Sequence, residues 1–282
     1  MNFDLSSLKG KSCVITGGTG GIGSAIVGAV AGAGINLVLI SRSKEKAEKI
    51  ALEIKEKYKI DALGLPSDVN DKEALLKVKE ITLKEFGNID FLINCAGGNF
   101  PKATAAREFL EEKDLNNLEN TFFGLELSDI KKVFDLNFTG SLLPTLIFAD
   151  VMVKNKAGSI INISSMNAFR PLTKIVAYSA AKASINNFTQ WLAVHFARVN
   201  VRVNAVAPGF FLTDQNRFLL TDERTGNLTE RGKKIINLTP MQRFGNADEL
   251  QGIILFLLSD YAKFITGTII PVDGGFSAYS GV

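Results

Sequence analysis

Five glycines crowd into the eight residues Thr16-Gly17-Gly18-Thr19-Gly20-Gly21-Ile22-Gly23, between a short apolar run, Ser12–Thr16, and a small-residue helical stretch from about Ile22 to Ala33. Glycine permits positive φ and close backbone approach. A helix that starts inside such a turn offers free N–H groups and the positive end of its dipole to a phosphate. When the turn follows the first strand of a βαβ unit, it points to a bound nucleotide. No Lys-Ser/Thr pair follows the last glycine, which argues against the P-loop of nucleoside triphosphatases.

The rest of the sequence repeats the strand–helix alternation. Apolar runs at Ser12–Thr16, Asn36–Ile40, Ala62–Leu65, Asp90–Asn94, Ser159–Ile163, Val201–Ala207 and Thr268–Val272 read as seven strands. Helices are predicted over about 22–33, Lys44–Tyr58, Lys72–Phe86, Ser128–Val153, Tyr178–Ala197 and 247–258. Short apolar strands separated by helices imply an α/β fold: a Rossmann-type doubly wound seven-stranded parallel sheet with helices on both faces. The 282 residues, 46% of them hydrophobic, suffice for one large core and read as a single domain, 1–282. Two segments break the rhythm, about 97–127 and 210–245. Both follow strand ends on the edge where such sheets bind ligands, so they read as elaborated functional loops.

Composition excludes several classes. The net charge is +3 and the basic residues form no stripe, so no nucleic-acid partner is expected. One histidine and two cysteines, Cys13 and Cys95, leave no zinc cluster and no disulfide framework. The start, Met1-Asn2-Phe3-Asp4-Leu5, resembles no leader, and no uninterrupted apolar run approaches about 18 residues, so a cytoplasmic protein away from membranes is expected.

Tyr178 and Lys182, four apart on a predicted helix, share one face. A phenol titrates near 10, poorly matched to proton transfer at neutral pH. A fixed ammonium beside it favours phenolate, so Lys182 is expected to lower the Tyr178 pKa. Ser165 lies thirteen residues earlier, just past a strand end, where its hydroxyl reaches a substrate carbonyl. Ser164 is the competing serine, and the interval favours Ser165. His195 lies seventeen residues beyond Tyr178, roughly 26 Å along the helix axis, and is discarded as a catalytic base.

Further motifs fall in register. Asp68-Val69 follows the third strand, Asn94-Cys95-Ala96-Gly97 the fourth, and Leu136-Asn137-Phe138-Thr139-Gly140 lies in the next helix. Pro208-Gly209-x-x-x-Thr213 follows the sixth strand. Together with the Thr-Gly-x-x-x-Gly-x-Gly turn and Tyr-x-x-x-Lys, the sequence resembles the short-chain dehydrogenase/reductase family across nearly its whole length. One departure is Cys95, where the family carries asparagine. The resemblance implies an oxidoreductase with Asn137, Ser165, Tyr178 and Lys182 as catalytic residues, Asn137 holding a relay water. It implies dinucleotide contacts from Gly17, Thr19, Gly20, Gly21, Ile22 and Gly23 in the turn, and from Asp68 and Val69. Asn94, Ala96, Gly97, Pro208, Gly209 and Thr213 complete that set, with Tyr178 and Lys182.

The end of the second strand bears on which dinucleotide binds. NAD enzymes place an acid there to hold the ribose hydroxyls. Here the strand runs into Ser41-Arg42-Ser43-Lys44 with no acid. Ser41 donates hydrogen bonds and Arg42 pairs with a 2′-phosphate, so NADP(H) is expected ahead of NAD(H).

Within the family, the runs 96–104, 165–174, 209–213 and 272–282 resemble those of one group of D-mannonate oxidoreductases, also called fructuronate reductases. That implies an acidic sugar substrate, with a neutral ketose or polyol, a 3-oxoacyl thioester, or a nucleotide-binding role without turnover as the alternatives. A hexuronate carries a carboxylate remote from its carbonyl, so its pocket needs a cation. The candidates are Lys102, Arg170, Lys174 and Arg217, with Asn99 and Asn167 for hydroxyls and Phe211 as an apolar wall. Family members assemble as dimers or tetramers, so a homotetramer or homodimer is expected. The apolar ending Phe276–Val282 is a candidate cover for a neighbouring subunit's site.

Overall fold

Successive residues of a strand point to opposite faces of its sheet, and in this protein both faces are covered. The computed structural model describes residues 4–213, 216–222 and 224–281. Met1–Phe3 of the amino-terminal reading and Val282 of the tail lie outside them. The strands β1 (Ser12–Thr16), β2 (Asn36–Ser41), β3 (Ala62–Pro66), β4 (Phe91–Asn94), β5 (Gly158–Ile163), β6 (Val201–Pro208) and β7 (Ile269–Val272) form one parallel sheet in the order β3-β2-β1-β4-β5-β6-β7. The helices are α1 (Gly21–Gly32), α2 (Lys44–Tyr58), α3 (Lys72–Phe86), α4 (Leu127–Phe134), α5 (Gly140–Asn155), α6 (Val176–Phe196), α7 (Arg217–Leu220), α8 (Glu230–Asn237) and α9 (Gln251–Leu258). This is the expected Rossmann-type fold.

Two cores lie back to back. Ile15, Leu37, Leu39 and Ile93 meet α1, α2 and α9 through Ile26, Ile54 and Leu257. Val14, Val38, Leu92 and Ile160 meet α3, α5 and α6 through Val78, Phe148 and Leu192. The chain proceeds outward from β1 through β2 to β3, then returns to β4 on β1's other side. The crevice at that reversal, at the carboxyl ends of the strands, is where a doubly wound sheet takes its ligand.

The structure departs from the reading in three places. The stretch predicted as one helix over Ser128–Val153 is α4, a single π turn at Asp135–Thr139, and α5. The segment 210–245 holds two short helices, α7 and α8, strapped by a bridge between Thr221 and Leu228. The predicted helix 247–258 opens as a 3₁₀ turn over Ala247–Leu250 before α9. The helical run Leu127–Asn155 is long and apolar enough to cross a bilayer by length and composition alone. Many of its apolar side chains, Phe148 and Met152 among them, are packed into the second core.

Candidate active site

The glycine turn is shaped by contacts that leave no room for a Cβ. Gly17 has φ +68°, and a Cβ there would sit 2.7 Å from the backbone of Ala96, so β1 and β4 part company with their main chains nearly touching. A Cβ on Gly23 would lie 2.2 Å from the Gly17 carbonyl oxygen. The Thr16 hydroxyl accepts from the amides of Cys95 and Ala96 at 3.1 and 3.2 Å, fixing that parting. α1 begins at Gly20 without a side-chain cap, which leaves the first amides of the helix for an anion.

A cavity of about 760 Å³ opens along this edge. Its wall on the glycine side includes Gly17, Thr19, Gly20, Gly21, Ile22 and Gly23. Ser41 and Arg42 line it at the end of β2, with Thr19 and Ser41 hydroxyls 3.2 Å apart. Asp68 and Val69 follow β3, Ala96 and Gly97 follow β4, and Pro208, Gly209 and Thr213 follow β6. A Cβ on Gly21 would strike the Thr213 side chain at 2.7 Å, so this wall too is built to glycine's dimensions. Open backbone amides in a glycine cradle, with hydroxyls and a cation at the far end, fit a dinucleotide.

Asn94 stands apart from the other expected contacts. Its side chain is buried inside the sheet edge, where Nδ2 donates to Thr145 Oγ1 and Asn162 Oδ1, both at 2.9 Å. Asn162 in turn donates to Thr189. This polar ladder joins β4, β5, α5 and α6 beneath the cavity and does not line it, so Asn94 supports the site without facing a ligand.

Tyr178, Lys182 and Ser165 converge on the cavity from α6 and the end of β5. Lys182 is buried, and Nζ donates to the Ile163 carbonyl at 2.8 Å and lies 5.7 Å from the Tyr178 ring centre. Burial pushes the Lys182 ammonium down to about 8, with Cys95 pulling weakly the other way. Burial also raises the Tyr178 phenol above its ordinary value; a hydrogen bond with Ser165 opposes the shift and Cys95 adds to it. The lowering expected from Lys182 does not appear: burial dominates the phenol, and the side chains that act on it are Ser165 and Cys95. Ser165 Oγ accepts from the Asn167 amide at 3.2 Å. Ser164 is turned away, its hydroxyl donating to Asn186 Oδ1 at 2.5 Å.

Asn137 is fully buried in the π turn. Nδ2 donates to the carbonyls of Gly98 and Val133, at 2.7 and 2.8 Å, and Oδ1 accepts from the Gly98 amide at 3.1 Å. A Cβ on Gly97 would touch both Asn137 Oδ1 and Lys182 Nζ, so these two groups flank that glycine. With its amide committed to backbone, the Asn137 side chain is fixed against Gly98 and Val133.

The substrate candidates divide. Asn99, Asn167 and Phe211 line the cavity. Lys102, Arg170, Lys174 and Arg217 do not. Arg170 is directed to the carboxyl-terminal tail, donating to the Ser277 carbonyl at 3.0 Å. That tail also packs on the chain through Phe276, which meets Phe210 edge-on at 5.3 Å. Sequence reasoning missed Asn216 and Arg231, which reach the cavity from the segment holding α7 and α8. A threonine cap at Thr229 followed by Glu230 and the apolar pair Ile235-Ile236 was the available signal for α8. His195 stacks on Trp191 at 4.7 Å on the exposed side of α6, clear of the site.

Residues 11–224 match the family model described as short chain dehydrogenase. The chain belongs to the short-chain dehydrogenase family. Within it, an uncharacterised oxidoreductase of Haemophilus influenzae is 48% identical over 277 residues, which cover 98% of this chain and 96% of the relative. The uncharacterised oxidoreductase UxuB of Bacillus subtilis is 46% identical over 277 residues, 98% of each protein. A crystal structure of a provisionally named D-mannonate oxidoreductase from Haemophilus influenza, with bound NAD, superposes with a TM-score of 0.92 at 48% identity, over 98% of both proteins. As a short-chain dehydrogenase the protein is a nucleotide-dependent oxidoreductase acting on CH–OH groups of a small molecule.

Proposed function

We propose that this short-chain dehydrogenase interconverts a keto-hexuronate and a hexonate, the D-fructuronate and D-mannonate pair. The observation that carries the reading is the polar wall beyond Tyr178. Asn99, Asn167 and Asn216 face the cavity there, and the buried Asn167 Oδ1 has no hydrogen-bond partner among the described residues. A buried acceptor left open suits a substrate rich in hydroxyls, since an unpaired one costs about 1–3 kcal/mol. The likeness to the provisionally named D-mannonate oxidoreductase supports the acid sugar.

In reduction, Tyr178 gives its proton to the carbonyl oxygen and Ser165 donates a hydrogen bond to the same oxygen. Lys182 holds positive charge beside the phenol. The nicotinamide, when bound, supplies or accepts the hydride. Arg42 supports NADP(H): it lines the cavity at the end of β2 and makes no hydrogen bond or ion pair among the described residues. The NAD bound to the Haemophilus relative favours NAD(H) as a second reading. The outer faces of α5 and α6 expose Leu146, Trp191 and Val194, which supports a homotetramer or homodimer. Two free thiols, Cys13 and Cys95, support a reducing, cytoplasmic setting.

The test is oxidation of NADPH and NADH, followed separately, with D-fructuronate, D-tagaturonate and a neutral ketose. Turnover confined to the ketohexuronates is expected, with NADPH favoured and Arg42→Ala raising its KM about 10-fold or more. Activity only on neutral or acyl substrates overturns the substrate reading, and a wild-type preference for NADH overturns the role given to Arg42.

A further inference from the structure

Four cations line the cavity: Arg42, Lys132, Lys182 and Arg231. Three are accounted for. Arg42 stands at the end of β2, Lys132 pairs with Asp129 at 2.9 Å, and Lys182 donates to the Ile163 carbonyl. Arg231 makes no hydrogen bond or ion pair among the described residues, and it comes from the same segment as Asn216 and Leu219, which line the cavity beside Phe211.

Its position is built. Arg231 sits in the first turn of α8, between two residues that lock this helix to α7. The Thr229 hydroxyl accepts from the Gly232 amide at 3.1 Å and donates to the Leu219 carbonyl at 2.8 Å. A Cβ on Gly232 would lie 2.3 Å from the Leu220 carbonyl oxygen, so only glycine allows the two helices this close. One turn on, Lys234 reaches Glu108 at 2.5 Å, and Glu108 also accepts from Thr173 at 3.3 Å. The turn bearing Arg231 is thus pinned to α7 below and to two other loops of the cavity rim. The acids of the lining, Asp68 and Asp135, belong to the end of β3 and to the π turn.

We propose that Arg231 is the specificity-determining residue that receives the substrate carboxylate, with Asn167 Oδ1 accepting from a hydroxyl nearer the reacting carbon. The inference rests on the acid-sugar reading given above and adds to it the group that distinguishes an acid from a neutral sugar. A guanidinium presents two parallel N–H donors that match a carboxylate, and a neutral polyol has no counterpart for them. Asn167 is buried two residues from Ser165, so its open acceptor lies next to the carbonyl end of the cavity, whereas Arg231 approaches from the side formed by α7 and α8.

The experiment compares the full-length wild type with Arg231→Gln and Arg231→Lys. The readouts are kcat and KM for D-fructuronate and for a neutral ketose, and Kd for the reduced dinucleotide. For Arg231→Gln, a rise in KM of about 10- to 100-fold for the acid is expected. The neutral ketose should stay unreduced, the Kd of the dinucleotide should be unaffected, and Arg231→Lys should recover part of the loss. An active wild type whose acid KM moves less than about twofold in Arg231→Gln overturns the role of Arg231 and leaves the substrate reading standing. If the wild type reduces no ketohexuronate, that reading fails, and binding of D-mannonate against D-mannitol decides the inference. A preference for the acid that Arg231→Gln abolishes supports it; no preference overturns it.

Discussion

Lys182 keeps its charge in the fold at a cost. Its ammonium is buried, satisfied by one carbonyl, and titrates near 8 where the free side chain titrates at 10.5. Below pH 8 the folded protein therefore carries the cost of a desolvated cation that the unfolded protein does not. Between pH 8 and 10.5 the unfolded state binds more protons, so the penalty fades as pH rises through that window. The full shift corresponds to at most about 3 kcal/mol, and orphaning the Ile163 carbonyl returns about 1 kcal/mol of it. Lys182→Met is expected to lose turnover yet unfold at higher denaturant at pH 7, by about 1–2 kcal/mol, with the difference shrinking toward pH 10. Denaturation curves at pH 7, 8.5 and 10 check both the sign and the trend. A variant less stable than wild type at pH 7 would show that the ammonium is a net support.

The elements that shape the cavity differ in how far they can be read from the residues. α2 and α3 match their predicted bounds because each has an amphipathic stripe and a side-chain cap, Ser43 and Asp71. The turn between α4 and α5 cannot be read in this way. α4 has an amphipathic stripe but α5 is apolar nearly all round, so no continuing period marks where a π turn joins them. The rim is harder still, because a cation such as Arg231 looks in sequence like Arg217 or Lys102, and only packing decides which of them reaches the cavity. Glu108 is the tie that fixes this rim, joining the 97–127 loop to Thr173 and to Lys234 of α8. Its carboxyl is held below the ordinary value chiefly by the bond from Lys234, so the tie persists through neutral pH. Exposed pairs of this kind contribute at most about 1 kcal/mol. Glu108→Ala should leave the melting temperature nearly unchanged while raising the substrate KM up to about fivefold, with dinucleotide affinity intact. Steady-state kinetics beside a thermal melt separate the two effects, and an unchanged KM would remove Glu108 from the account of the rim.

At the scale of the whole molecule, the seven strands, most of the helices and the doubly wound parallel sheet were open to reading, since strand alternation and helical periodicity are properties of the sequence itself. So were the glycine turn and the residues of the family motifs. What the residues alone did not disclose depends on long-range packing: the burial that raises the Tyr178 phenol, the commitment of Asn137 to Gly98 and Val133, and the tail lying on its own Phe210. Assembly belongs here as well. Trp191 and Val194 are 59% and 80% exposed on α6, a large apolar surface for one helix. Trp191→Glu should shift the particle to a smaller mass in light scattering at micromolar concentration while the circular dichroism spectrum stays unchanged. A wild type that is already monomeric would refute the assembly proposal.

Because all seven strands run the same way, their carboxyl ends deliver the loops of the cavity to one edge, away from the returns on the opposite edge. Recombination can exploit that separation. The segments 97–127 and 210–245 are the natural units to exchange between relatives or to randomise in a library, since neither supplies a strand. Such grafts would redirect substrate choice provided that Gly97 and Thr213, which line the dinucleotide side of the cavity, are kept.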